Sequence, residues 1–137
     1  MGYVHAEIIL KNAGDVSCVR HGYMKEPEIR HTTVTALADT GSVHLVINED
    51  LRCQLGLSVE STRERELADG SVQTCGLTEP VQIQWKDRDA VCQALVASNA
   101  RDVLLGIVPL GYLDLIVDPV NQELVGAHGD EMLFIIK

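Results

Sequence analysis

Aromatic and basic side chains are scarce in this sequence. Aromatic residues make up 4% of the 137 residues, and 11 Lys and Arg stand against 20 Asp and Glu, which gives a net charge of −9. Proteins that bind nucleic acids present clustered Lys and Arg, and no basic run occurs anywhere in the chain. The composition therefore argues against a nucleic-acid partner, and it leaves few aromatic faces on which bases could stack.

Signals for export and for membrane insertion are also missing. Residues 1–7 lack the basic start and the apolar stretch of a signal peptide. No apolar run approaches the roughly 20 residues that a membrane-spanning helix requires. The four cysteines (Cys18, Cys53, Cys75 and Cys92) are widely spread, as is typical of reduced, mostly buried thiols in a reducing compartment. We therefore expect a cytoplasmic protein without a membrane partner.

The residue patterns of several common catalytic and metal sites are absent. The sequence has no C-x-x-C, no H-E-x-x-H, no G-x-S-x-G and no glycine-rich phosphate loop. Cys18 and His21 form a single C-x-x-H, which does not define a metal site without a second pair of ligands. Surface or structural roles are the better interpretation of the scattered histidines, which are His5, His21, His31, His44 and His128. The sequence therefore predicts neither a metal nor a cofactor.

Short β-prone runs separated by turns dominate the chain. Apolar residues recur with a period of two, and turn signals follow roughly every 8–12 residues, a spacing typical of an all-β sandwich or barrel. The length fits one domain, residues 1–137. The apolar or β-prone runs are residues 4–10, 16–19, 29–38, 43–47, 58–67, 72–75, 81–85, 90–97, 103–106, 115–117, 123–125 and 132–136.

One short helix interrupts this pattern in the prediction. Asn48 can cap it, Glu49 and Asp50 favour its first turn, and Gly56 can terminate it. The helix would be about two turns long.

The sequence Asp39-Thr40-Gly41-Ser42 is the strongest candidate for chemistry. It follows the apolar Ala36-Leu37-Ala38, so the Asp39 carboxylate would lie at the end of a buried strand. An acidic side chain at such a place is costly unless it is hydrogen-bonded or functional. Alternatively, Asp39 caps a β-turn, as Asp often does. The local residues leave both interpretations open.

Together with two later segments, this motif resembles the aspartic proteases. Leu37-Ala38-Asp39-Thr40-Gly41-Ser42 is similar to their active-site motif, and Val103-Leu104-Leu105-Gly106 is similar to the segment that packs beside that loop in retropepsin-like members. Between them, Ala68-Asp69-Gly70-Ser71 at a hairpin tip is similar to the flap. The resemblance extends over residues 29–124, and Leu115-Ile116-Val117-Asp118 is similar to a segment of the bacterial, non-viral branch. It implies a retropepsin-like acid-protease barrel, in which residues 1–28 have no clear counterpart.

The resemblance also implies a twofold dimer. Aspartic proteolysis needs two facing carboxylates that share one proton and activate water on a peptide carbonyl. Two such charges about 4 Å apart would repel by ~4 kcal/mol at an effective dielectric of 20. The chain contains one D-T-G and no second D-T-G or D-S-G. A homodimer would therefore have to supply the second carboxylate, with the active site at the dimer interface.

The roles of individual residues follow from the resemblance. Asp39 would be the catalytic acid and base, and the Thr40 hydroxyl would hydrogen-bond across the dimer. The Gly41 backbone would lie close to the carboxylate and the substrate, and a Ser42 hydroxyl bonded to the ionised Asp39 implies an acidic pH optimum. Two sets of residues complete the site: Ala68, Asp69, Gly70 and Ser71 would close over a peptide or protein substrate as the flap, and Leu104, Leu105 and Gly106 would support the loop.

Several alternatives remain open on the sequence alone. Residues 128–137 form either a dimer-interface strand or an ordinary core strand. The whole chain could be a catalytically inactive dimer of the same fold that acts as a peptide-binding or scaffold module. It could also be an unrelated β-barrel in which the D-T-G arose by chance.

Overall fold

The computed structural model describes residues 4–98 and 100–129, and these residues are mostly β-structure. Within them lie eleven strands, three α-helices and one 3-10 turn. The strands are β1 (Val4–Asn12), β2 (His31–Ala38), β3 (Leu45–Ile47), β4 (Val59–Glu66), β5 (Val72–Thr78), β6 (Val81–Trp85), β7 (Arg88–Cys92), β8 (Ala94–Val96), β9 (Val103–Leu105), β10 (Leu115–Asp118) and β11 (Glu123–Gly126). The helices are α1 (Ala13–Arg20), α2 (Glu49–Gln54) and α3 (Ile107–Tyr112), and the 3-10 turn is Glu26–Glu28.

Nine of the strands form one sheet in the order β4-β5-β8-β3-β9-β2-β1-β6-β7, while β10 and β11 pair as a separate hairpin. The short strand β9 runs parallel to β2 on one side and antiparallel to β3 on the other. The main core packs apolar side chains from both halves of this sheet, among them Ile8, Leu10, Leu45, Ile83 and Leu105. The prediction of a mainly β protein is confirmed, whereas closure into a barrel stays a prediction.

The prediction of a single short helix is wrong. The expected helix is present as α2, capped by the Asn48 side chain, which accepts a hydrogen bond from Leu51 N. Residues 16–19, predicted as a strand, belong instead to α1. The Asn12 side chain begins this helix by accepting a hydrogen bond from Asp15 N (3.0 Å), so the local signal marked a helix start and not a turn.

Long-range contacts hold α1 in place. The Asn12 amide donates to Leu55 O at 2.9 Å, and the Arg30 guanidinium makes two hydrogen bonds of 2.9 Å to the Asp15 carboxylate. The hydrogen bonds from Arg30 hold the pKa of the Asp15 carboxyl below its usual value. These contacts stabilise a helix of eight residues that is too short to be stable by itself.

The run predicted as one strand at residues 90–97 is two strands. The first, β7, lies at one end of the sheet and pairs with β6, whereas β8 pairs with β3 and β5 near the other end. Between them the Thr78 hydroxyl accepts from Ala94 N at 3.1 Å, and Gln93 donates to Thr78 O at 3.1 Å. One apolar run therefore serves both halves of the sheet.

A buried arginine attaches the β10–β11 hairpin to β7. The Arg88 side chain is 4% exposed and donates to Leu113 O at 3.1 Å, Asp114 O at 2.7 Å and Gly129 O at 2.6 Å. The Asp114 carboxylate lies 3.7 Å from the same guanidinium and 2.7 Å from His128 Nδ1. Because Arg88 reaches three carbonyl groups, it fixes the path of the chain after α3. The predicted strand at residues 132–136 lies outside the described residues.

The cysteines only partly match the expectation of mostly buried thiols. All four are free; Cys18 and Cys53 are exposed, Cys92 is half-buried and Cys75 is buried. Burial raises the pKa of the Cys92 thiol to about 12. In the part of the chain that the structure describes, no helix has the length and apolarity needed to cross a membrane.

Candidate active site

The backbone holds Asp39 at the end of a strand in the middle of the sheet. Strand β2 ends at Ala38, which pairs with Leu105 of β9, and Asp39 N continues the pairing by donating to Leu105 O at 2.9 Å. The chain then turns, with Ser42 N donating to Asp39 O at 3.0 Å and Gly41 N donating to Asp39 Oδ1 at 2.9 Å. The Asp39 carboxylate therefore caps its own turn, as the interpretation of Asp39 as a β-turn cap required. The side chain remains half-exposed.

Gly106 lies directly against this loop. Its N–H donates to His44 O at 3.1 Å, and the next residue, Ile107, donates to Ser42 O at 2.8 Å. A Cβ atom on Gly106 would lie 2.6 Å from both of these oxygens, so only glycine permits the approach. Leu104 pairs with Leu37 and Val46 on the two sides of β9. The predicted proximity of residues 104–106 to the motif is therefore present in the fold.

A cleft of about 580 Å³ lies between the motif loop and the β4–β5 hairpin. Asp39, Gly41 and Ser42 line it from the loop, and Ala68 lines it from the hairpin. Thr40 is exposed and does not line the cleft. The fold thus brings the predicted catalytic residue and one end of the predicted flap to opposite sides of a cavity large enough for a peptide segment.

The other predicted flap residues build the hairpin turn. Gly70 has a φ of +86°, and its N–H donates to Leu67 O at 2.9 Å. The Asp69 carboxylate accepts from Ser71 N at 2.9 Å and from the Ser71 hydroxyl at 2.6 Å, and the hydroxyl contact chiefly lowers the pKa of Asp69. The prediction of a hairpin turn at Asp69-Gly70 is confirmed by the antiparallel pairing of β4 and β5. None of these three residues lines the cleft.

Several residues that line the cleft were not predicted from the sequence. They are Val43, His44, Glu64, Arg65, Glu66, Leu67 and Leu95. The run at residues 58–67 was interpreted as a charged strand on the surface, although Arg65 and Leu67 are half-buried while their neighbours are exposed. Their alternation was a usable signal, because residues two apart share one face of a strand. Leu95 carries no such local signal, since a long-range strand pairing brings it to the cleft.

Comparison with known protein families identifies the family of the chain. The family model described as aspartyl protease matches residues 26–108, which is more than half of the chain. The matched segment contains the Asp39 loop, the β4–β5 hairpin and β9. The chain belongs to the aspartyl protease family, and the predicted resemblance is confirmed. No curated protein matches the chain.

The described residues also bear on metal chemistry. Over residues 4–98 and 100–129, no group of three or more His, Cys, Asp or Glu side chains could hold a metal ion. The titratable groups that line the cleft are Asp39, His44, Glu64, Arg65 and Glu66.

Proposed function

We propose that the protein is a homodimeric aspartic endopeptidase, in which the Asp39 carboxylates of two chains share a proton and activate a water molecule on a peptide bond. The observation that carries this proposal is the position of Asp39 in a cleft facing the β4–β5 hairpin. Membership of the aspartyl protease family gives peptide bonds as the substrate class.

The need for a second chain follows from the chemistry. One carboxylate must take a proton from water while another acid donates one to the carbonyl oxygen, so a single Asp39 is half of a site. Each chain contributes one D-T-G. In a twofold dimer the two Asp39 residues would face each other across the axis, and the two loops would contact through Thr40.

The surface around the motif supports this arrangement. Thr40 is exposed, and two apolar side chains beside the loop are also uncovered, Val43 at 48% and Ile107 at 50%. Their backbones are tied to one rigid unit, since Ile107 N donates to Ser42 O and Val108 N donates to Val43 O. Burying such side chains against a second copy would be favourable by about 25 cal/mol per Å².

The remaining roles are part of the same proposal. The substrate would lie extended in the cleft, and residues 68–71, of which only Ala68 lines the cleft in this structure, would close over it and pair with it as an added strand. Leu104, Leu105 and Gly106 would hold the loop that carries Asp39. Residues 1–137 would act as a single domain, the enzyme would need no metal or cofactor, and we place it in the cytoplasm.

An unbiased peptide library tests this proposal. We expect the wild type to cleave peptides between pH 3.5 and 7.5, and the Asp39→Asn variant to be slower by at least about a hundredfold, because it loses the acid and base group. The matched control is Asp89→Asn, which removes an exposed carboxylate on β7 outside the cleft and should retain wild-type rates. Cleavage sites identified by mass spectrometry would provide the readout.

The other outcomes of this experiment are also informative. Equal cleavage by the wild type and Asp39→Asn would refute the assignment of Asp39. Binding of peptides without cleavage by either chain would favour a catalytically inactive scaffold or peptide-binding module of the same fold.

A further inference from the structure

The inner face of the β4–β5 hairpin carries one arginine toward the cleft. Along β4 and into the turn, Arg65 and Leu67 are half-buried, while Glu64 and Glu66 are exposed. Since alternate residues of a strand share a face, Arg65 and Leu67 lie on the side that faces the protein. Both residues line the cleft that contains Asp39, as Glu64 and Glu66 do, and Arg65 is the one Lys or Arg among the described residues that line it.

The partner strand places this face beside the core. Arg65 pairs with Gln73, and the next pair on the same face joins Arg63 to Cys75. Cys75 is buried with Leu95 in a small apolar cluster, and Leu95 also lines the cleft. On this face of the hairpin, Arg65 therefore lies one residue pair away from buried apolar side chains. Solvent reaches the Arg65 side chain only in part.

Among the described residues, no hydrogen bond or ion pair reaches the guanidinium of Arg65, whereas the neighbouring Arg63 donates to the Ser61 hydroxyl and to Thr62 O. Three other arginines are bonded within the protein and do not line the cleft: Arg30 binds Asp15, Arg52 binds Glu49 and Arg88 binds carbonyl groups. Because Arg65 lines the cleft and its donors are open, a ligand that supplies a carboxylate can bind it through charge-assisted hydrogen bonds.

The other charges around the cleft do not cancel this preference. Glu64 and Glu66 also line the cleft, but they are exposed, so water and salt screen their charges. Asp39 would share a proton with its counterpart in the dimer. A guanidinium binds a carboxylate through two parallel hydrogen bonds, a contact that is stronger than the repulsion from screened charges.

We propose that Arg65 selects substrates that carry an Asp or Glu side chain in the subsite beneath the β4–β5 hairpin. The proposal rests on the proposed function of the cleft as a peptide-binding site. The acidic net charge of the chain would not by itself suggest acidic substrates. Net charge acts on the rate of encounter, however, and the contacts within a subsite decide which side chain binds there.

The test compares peptides that differ only in charge. Labelled peptides with a single Glu, moved through every position, are paired with peptides that carry Gln at the same position. We expect the wild type to favour Glu over Gln at one position by about 10- to 100-fold in kcat/KM, as a charge-assisted hydrogen bond in a partly dry site predicts. Arg65→Met should remove the preference, Arg65→Lys should retain part of it, and Arg65→Glu should favour Lys at that position.

The control variant is Arg63→Met on the same face of the same strand. Arg63 is exposed and does not line the cleft, so its loss should leave the preference for Glu unchanged. Circular dichroism of each variant would show that the fold is intact. If the wild type cleaves Glu and Gln peptides equally well, the inference about Arg65 is overturned while the proposed function stands.

A binding measurement separates the inference from the catalytic proposal. Fluorescence anisotropy of the same peptides is recorded with Asp39→Asn, in which Arg65 is intact and turnover is not expected. Tighter binding of the Glu peptide than of the Gln peptide would support the role of Arg65, provided that the difference is lost in the double variant Asp39→Asn, Arg65→Met. This result would count even if the wild type cleaves nothing. Equal binding of both peptides, or no binding of either, would overturn it.

Discussion

Replacing Gly106 by Ala is expected to lower the free energy of unfolding by about 3 kcal/mol or more, because the added methyl group overpacks a site walled by backbone. Three backbone atoms would lie 2.6 Å from the new Cβ: Ser42 O, Val43 C and His44 O. The two oxygen atoms in this set also accept the hydrogen bonds from Gly106 and Ile107 that hold the motif loop. The loop can yield only by breaking those bonds, so peptide cleavage should fall as well.

Urea denaturation followed by fluorescence of Trp85, the one tryptophan of the chain, would measure the loss. Gly111→Ala is the matched control at the other end of the same helix. A Cβ there has no atom within 4 Å, and alanine favours a helix over glycine. This control should be neutral or stabilising by up to about 1 kcal/mol. Equal midpoints for the two variants would contradict the close approach of Gly106 to the loop.

Replacing Arg88 by Met is expected to cost about 3–5 kcal/mol of stability, the usual penalty for removing one partner of a buried ionic network. The substitution preserves much of the side-chain volume but removes donors to Leu113 O and Gly129 O, and it removes the cation beside Asp114. The affected groups lie where the β10–β11 hairpin joins the main sheet, so local unfolding of that hairpin should also increase.

Arg101→Met provides the comparison, since Arg101 is exposed and its loss should change stability by no more than about 0.5 kcal/mol. Chemical denaturation gives the global effect, and hydrogen exchange at residues 115–126 gives the local one. An Arg88→Met variant as stable as Arg101→Met would show that the Arg88 contacts contribute nothing net to the fold.

Elements whose signals lie within a few neighbouring residues were predicted well. The strand at residues 81–85 is β6, with the same ends as predicted, and Asn48 caps α2 as expected. Period-two alternation and helix capping depend on residues a few positions apart. A short stretch of sequence therefore contains the residues that cause the strand or the helix end to form.

Elements that depend on distant partners were not predicted. The residues that begin α1 at Asn12 are also residues that form hairpin turns. A hydrogen bond from Asn12 to Leu55, 43 residues away, helps to stabilise the helix. One apolar run divides into β7 and β8 where Gln93 and Ala94 hydrogen-bond to Thr78, a contact that the local pattern does not reveal. In both cases tertiary contacts override an ambiguous local signal.

The candidate site divides in the same way. Asp39 could be recognised because an acid at the end of an apolar strand is unusual locally, whereas Gly106 was recognised only through the resemblance to the aspartic proteases. On the opposite wall of the cleft, Arg65 and Leu67 had a local signal in their spacing, whereas Leu95 had none, since it reaches the cleft through the pairing of β8 with β5. Charged residues in a strand were interpreted as a solvated surface, and this hid the half-buried arginine.

Mixing the wild type with Asp39→Asn tests most directly the claim that two chains share one active site. The chains are co-refolded from urea so that they reassort, with the wild-type concentration held constant and the variant added in increasing amounts. If both carboxylates are required, activity per wild-type chain should fall in proportion to the wild-type fraction, to about half at an equal mixture. Activity per wild-type chain that stays constant at every mixture would contradict the shared site.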